Sequence, residues 1–205
     1  VGAAGAYFHV VRAFLPHAAP GSQVTVDLLV WGPPVLAPLM FCMVGILGLS
    51  AAWQEDPPES GRLHLLGGLR LQMPYSKTRA YLFLVSLGIL VTVLSSVLDH
   101  ARTQFEDAWL WLPTVAGAAA AVAAGWLGAS SRPSPADVRT HVAFMLTLIA
   151  IGTVGAVLHV QGNLTTQGTI VGERFLRGAP FLAPLLFCNV GLIGLVAVWE
   201  ADDIA

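Results

Sequence analysis

The stretch GAPFLAPLLFCNVGLIGLVAVW, residues 178–199, contains no Asp, Glu, Lys or Arg, and it occurs a second time as GPPVLAPLMFCMVGILGLSAAW, residues 32–53. Fourteen of the 22 aligned positions are identical, which chance does not produce. Each copy is long enough to cross a bilayer core, which takes roughly 20 apolar residues as a helix. The likeness continues upstream, where VGAAGAYFHV (1–10) aligns with IGTVGAVLHV (151–160) and keeps Gly2/Gly152, Gly5/Gly155, Ala6/Ala156, His9/His159 and Val10/Val160. The repeated unit therefore reads as a helix ending near a histidine, a loop, and a second helix begun at Pro34 or Pro180. A proline in the first turn of a helix loses no intrahelical bond. Pro38 and Pro184, one turn on, define how that helix enters the membrane.

Outside the two copies the chain keeps the same character. It has 10 Lys or Arg and 12 Asp or Glu in 205 residues, against 56% apolar residues. That is about half the charge of an average soluble domain. Five runs lack Asp, Glu, Lys and Arg altogether: 28–54, 80–98, 108–131, 140–172 and 178–199. This excludes a soluble enzyme, a disordered chain and a nucleic-acid binder, and it predicts an all-α, polytopic helical membrane protein whose first partner is the lipid bilayer. The runs are continuous and lack the alternation of barrel strands, so strands are not expected.

Two further runs, 80–98 and 108–131, lie between the copies and are joined by the polar segment DHARTQFED (99–107). Two crossings return the chain to the same side, so the copies are parallel repeats. Residue 1 aligns with residue 151, midway along its helix, and a first helix lacking its N-terminal half is expected. Six spans follow: up to about residue 16, then 33–53, 79–99, 110–130, 140–160 and 178–199. The organisation is one membrane domain made of a repeat hairpin (1–56), a central hairpin with a cytoplasmic interfacial segment (57–139) and a second repeat hairpin (140–205). LDHARTQFEDAWLWLP (98–113) echoes the repeat faintly through His100 and Pro113, which allows three hairpins with histidines at equivalent ends.

Loops 54–79 and 131–139 carry Arg62, Arg70, Lys77, Arg79, Arg132 and Arg139, while the opposite side carries Arg12, Arg102, Arg174 and Arg177. Positive residues favour the inside. This puts the first group and the C-terminus in the cytoplasm, in what the Arg-rich, Ala- and Gly-rich composition reads as a bacterial inner membrane. The segment RLHLLGGLRLQMPY (62–75) is expected to lie along that interface.

His9, His100 and His159 share one membrane face. Neutral imidazole is the commonest ligand of transition metals and an axial ligand of haem, so the three are candidates for a haem, chlorin or copper site. Asp99, Glu106 and Asp107 are available as carboxylates to orient them. A histidine at the headgroup level also simply hydrogen-bonds water or loop carbonyls, and no HxxxH, CxxC or ExxH spacing supports a site. Met40, Cys42, Met43 and Cys188 offer soft sulfur suited to Cu(I), although such residues inside helices mostly serve packing. Asn189, where the first copy has Met43, is expected to bond a neighbouring helix. Gly117, Ala121 and Gly125, with Gly45, Gly48, Gly191 and Gly194, form notches for close helix approach. Trp31, Trp53, Trp109, Trp111, Trp126 and Trp199 fall near helix ends as an aromatic belt.

No span carries an acidic or basic residue at its centre, which disfavours ion-coupled transport. No nucleophile, phosphate-binding or zinc-protease motif occurs, and an enzyme is not expected. The leading functional expectation is a non-catalytic integral-membrane subunit packed with other membrane subunits, in a respiratory or photosynthetic energy-converting complex. A redox or metal-handling protein using the face histidines is the alternative, and a carrier or channel for a neutral or lipophilic solute is a third.

Overall fold

The computed structural model describes residues 1–14, 26–32, 34, 36–165, 172–173, 175 and 178–199. Arg174, Arg177 and residues 200–205, on which the expected orientation draws, lie outside them. The helices are α1 (Gly2–Phe14), α2 (Val26–Trp31), α3 (Ala37–Ser50), α4 (Lys77–His100), α5 (Leu112–Ala129), α6 (Pro135–Thr165) and α7 (Leu185–Trp199). Three stretches are long and apolar enough to cross a membrane: Lys77–Thr103, Ala108–Ala129 and Pro135–Thr165. The helices Ala37–Ser50 and Leu185–Trp199 are apolar but shorter. The outward surface is also apolar, with Leu87, Leu90 and Leu94 on α4, Val115 and Val122 on α5, and Leu146 and Val154 on α6 all exposed. Such a surface belongs in lipid, where a helix satisfies its own backbone.

Local chemistry sets the helix ends. Ser134 and Asp137 form a reciprocal cap at the start of α6: the Ser134 N–H donates to the Asp137 carboxylate at 2.8 Å, and the Asp137 N–H donates to Ser134 Oγ at 3.2 Å. Pro135 opens the first turn, so α6 begins five residues earlier than its charge-free run. Ser76 caps α4, accepting from the Arg79 N–H. At the other end, the left-handed residues Gln104 and Phe105, both at φ 53°, stop the 3₁₀ turn that follows α4.

α4 pairs most extensively with α5, and α6 with α7, while α5 joins the two pairs and α1 lies on α3. The centre is made of Val85 and Ile89 from α4, Ala120 and Ala124 from α5, Met145 and Leu148 from α6, and Val190 from α7, all with no exposed surface. Alanines and glycines set the spacing. Gly88 of α4 lies between α3 and α7, and a Cβ there would meet Met43 Sδ at 2.5 Å and Val190 Cγ1 at 3.5 Å. A Cβ on Gly117 would run into Val93, and one on Gly125 would reach Ser86, whose hydroxyl donates to the Ala121 carbonyl at 2.8 Å. The small-residue face of α5 therefore packs on α4, as van der Waals contact between membrane helices favours.

Two departures from the sequence expectation stand out. Strands are present: β1 (Gln54–Glu55), β2 (Arg62–His64) and β3 (Arg70–Gln72) form an antiparallel sheet in the order β1-β2-β3. Within the segment 62–75, β2 and β3 form a hairpin. Its turn contains Gly67 and Gly68 at φ 76° and 79°, a backbone that glycine adopts without steric cost. Leu63 is buried beneath it. The Glu55 carboxylate ties the sheet to α4 by accepting the Gly61 and Lys77 N–H groups. The second departure concerns Asn189, which is exposed on α7 and has no hydrogen-bond partner among the described residues. The adjoining Val190 and Gly191 turn inward, and this carries the amide to the outside of the bundle.

Candidate functional site

Each histidine position follows from the contacts that hold its helix. In α1 a Cβ on Gly2 would lie 2.7 Å from Pro38 O and Cys42 Sγ, and in α6 one on Gly152 would lie 2.6 Å from Pro184 O and 2.7 Å from Cys188 Sγ. Gly5 faces the Pro38 ring as Gly155 faces that of Pro184. The helices cross closely at these glycines, and two turns on they bring a histidine to the start of the next helix. His9 Nδ1 donates to the Pro34 carbonyl at 3.1 Å, and His159 Nδ1 donates to the Pro180 carbonyl at 3.3 Å. A carbonyl only accepts, so in both rings Nδ1 is the donor of this bond.

His100 arrives from α4. Its ring centroid is 6.5 Å from that of His159, with the planes at 69°. The left-handed turn at Gln104 and Phe105 folds Phe105 back to 6.1 Å from the His100 ring, and Phe105 in turn stacks on Trp111 at 4.2 Å. Nδ1 of His100 is buried without a hydrogen-bond partner. The structure thus brings His100 and His159 together beneath an aromatic pair. Among the described residues no three His, Cys, Asp or Glu side chains lie close enough together to hold a metal ion, so His9 does not complete a triad. Asp99 pairs with Arg102 at 3.6 Å, and Glu106 and Asp107 are exposed.

The sulfur groups face different neighbours. Cys42 meets Gly2 of α1, Met43 meets Gly88 of α4, and Cys188 donates to the Ile149 carbonyl of α6 at 3.3 Å, beside Thr153 Oγ1 at 3.5 Å. Met40 lies within 3.9 Å of Thr92 Oγ1. Packing accounts for these contacts. The tryptophans at positions 31, 109, 111, 126 and 199 are exposed near helix ends.

Asn163 and His141, which the sequence left unmarked, and Arg102, which counted there only toward orientation, organise this bundle. Asn163 holds the backbone of Ala179 at both groups, donating to its carbonyl at 2.8 Å and accepting its N–H at 2.9 Å. The first copy has Ala13 at the position aligned with Asn163, and Pro33, which has no N–H, at the position aligned with Ala179. There Arg102 supplies the polar contact instead, donating to Val30 O at 2.7 Å and Gly32 O at 2.9 Å. His141 is fully buried, donates from Nε2 to Gly194 O at 2.9 Å and leaves Nδ1 without a partner. The signal for His141 was its place as the first histidine of a charge-free run. A shallow apolar groove of about 520 Å³ also runs between α5 and α6, lined by Ala118, Val122, Trp126, Thr140 and Phe144. No model of a protein family, no curated protein and no solved structure matches this chain.

Proposed function

We propose that this chain is a non-catalytic integral-membrane subunit of a larger bacterial inner-membrane assembly, of the respiratory or photosynthetic energy-converting class in which small, charge-poor helical subunits occur. It sits in the membrane as six spans built from a duplicated hairpin. The paired contacts of Gly2 and Gly152, Gly5 and Gly155, and His9 and His159 support the duplication. Gly45 and Gly48 face open space, whereas Gly191 and Gly194 are filled by Met145 and Ile149.

The observation that carries the subunit reading is the exposed amide of Asn189, without a hydrogen-bond partner among the described residues, at the middle of the charge-free run 178–199. An amide in hydrocarbon without a partner costs several kcal/mol on water-to-alkane scales, so such a face is built for a protein neighbour. Extraction of native membranes in mild detergent, followed by native mass spectrometry, tests the reading. The chain is expected in a complex of fixed stoichiometry, and a chain recovered alone, folded and monomeric, counts decisively against it.

A second reading rests on the His100 and His159 pair, which offers two imidazoles to a haem, chlorin or copper ligand. An absorption spectrum and metal analysis of the purified protein decide it. A Soret or chlorin band, or stoichiometric copper, should vanish in a His100→Ala/His159→Ala variant, and a colourless, metal-free wild type sinks the idea.

A further inference from the structure

The exposed residues of α7 are Leu185, Asn189, Leu192, Val196 and Trp199. They follow one another at intervals of 4, 3, 4 and 3 residues. This is the spacing of a two-helix seam, with Asn189 at the position where a single asparagine fixes register and strand number. The opposite face of α7, made of Phe187, Val190, Gly191, Gly194, Ala197 and Val198, is buried in the chain's own bundle. Among the described residues, none covers this seam.

The first copy shows what such a face is for. Counterparts of Asn189 and Val196 are Met43 and Ser50, both buried on α3. Met43 reaches Gly88 of α4, and the Ser50 hydroxyl bonds the Tyr81 hydroxyl at 2.6 Å. In hairpin 1 these two positions receive α4, while Ile46, the counterpart of Leu192, stays exposed; in hairpin 2 none of the five seam residues is covered by a helix among the described residues.

The character of the residue at the centre selects the occupant. A carboxamide carries both a donor and an acceptor, so two of them related by a two-fold axis satisfy each other. Copies of one chain in one membrane share their orientation, so α7 meets α7 in parallel, with Asn189 opposite Asn189 and Val196 opposite Val196. We infer that α7 is a homotypic interface through which two copies of this chain pair, with reciprocal Asn189 hydrogen bonds across the two-fold axis. This rests on the subunit reading above and names its partner as a second copy.

Oxidative cross-linking in native membranes tests the geometry. Val196→Cys should give a disulfide-linked dimer of this chain, and Leu195→Cys, turned off the seam, should give far less; the unsubstituted chain supplies the background from Cys42 and Cys188. In parallel, the purified chain is diluted into liposomes and counted by single-molecule photobleaching. Asn189→Val should weaken pairing about threefold to tenfold, the size of an interhelical amide bond in lipid, and Asn189→Gln should recover part of the loss. Pairing unaffected by Asn189→Val overturns the proposed interface. Cross-linking from position 196 to a different protein also overturns it while leaving the subunit reading intact. A chain that is monomeric at every dilution and uncross-linked in native membranes overturns both.

Discussion

Helices α3 and α7 share most of their residues, yet they present opposite faces to the bundle. Phe187 is 3% exposed and its counterpart Phe41 is 69% exposed; Val190 is 0% and Val44 is 46%. The same inversion runs through Gly191/Gly45, Gly194/Gly48, Ala197/Ala51 and Val198/Ala52. On the other side, Met40, Met43 and Ser50 are buried while Asn189 and Val196 are exposed. The differing positions cluster accordingly: Met40/Leu186, Met43/Asn189, Leu47/Ile193 and Ser50/Val196 all fall on the stripe that turns toward α4 in the first hairpin. Identity is retained where each hairpin packs on itself, at Pro38 and Cys42 or Pro184 and Cys188. It is lost on the stripe that turns toward α4 in the first hairpin, while Phe41/Phe187, Val44/Val190, Gly45/Gly191 and Gly48/Gly194 stay identical in opposite surroundings.

Substitution at paired sites should separate the two faces. Met43→Ala removes buried side chain against Gly88 and is expected to cost about 3 kcal/mol of stability, whereas Asn189→Ala should stay within about 0.5 kcal/mol in the monomer. Denaturant unfolding in detergent micelles, followed by tryptophan fluorescence, measures both, and equal losses would erase the contrast. Gly191→Val drives a branched side chain into Ile149 and the Met145 carbonyl and should cost about 2 kcal/mol. The matching change Gly45→Val meets open space, so a stability loss of similar size there would show that the α3 face is covered.

The loop contacts give the next smaller effects. Asn163→Ala strands the Ala179 N–H and carbonyl and should cost about 1.5 kcal/mol, together with faster amide exchange at Ala179. Ser50→Ala breaks the link to Tyr81 and should cost about 1 kcal/mol, while Val196→Ala should change little in the monomer. A thermal-shift series on these variants sharpens the comparison at single hydrogen bonds.

Much of this was written in the sequence. Charge-free runs placed the helices, and the aligned glycines and histidines make matching contacts at Gly2/Gly152, Gly5/Gly155 and His9/His159. The hairpin over 62–75 also had its signals, since Leu63 and Leu65 alternate with polar neighbours and Gly67-Gly68 marks a turn, but its leucine content read more strongly as interface. Asn163 was not legible because its partner Ala179 is brought to it by a loop whose path no local pattern encodes. The pairing of His100 with His159 and the separation of His9 depend on how the central hairpin docks, which the repeat does not determine.

The two arginines that bracket α4 limit how this bundle can move. Arg79 donates to the carbonyls of Gly128 and Ala129 at the end of α5, both at 2.7 Å, and stands over the Tyr75 ring, while Arg102 grips Val30 and Gly32 beyond the opposite end. Each guanidinium is pinned to helix-terminal carbonyls, where a positive charge is favoured. Sliding α4 by one helical turn, about 5.4 Å, would break four charge-assisted bonds at once, two at each side of the membrane. The low-cost motions left are rotations of the outer hairpins about a vertically locked α4. A change of state in this protein would then be read as tilt and opening between helices, with the depth of His100 on α4 held constant.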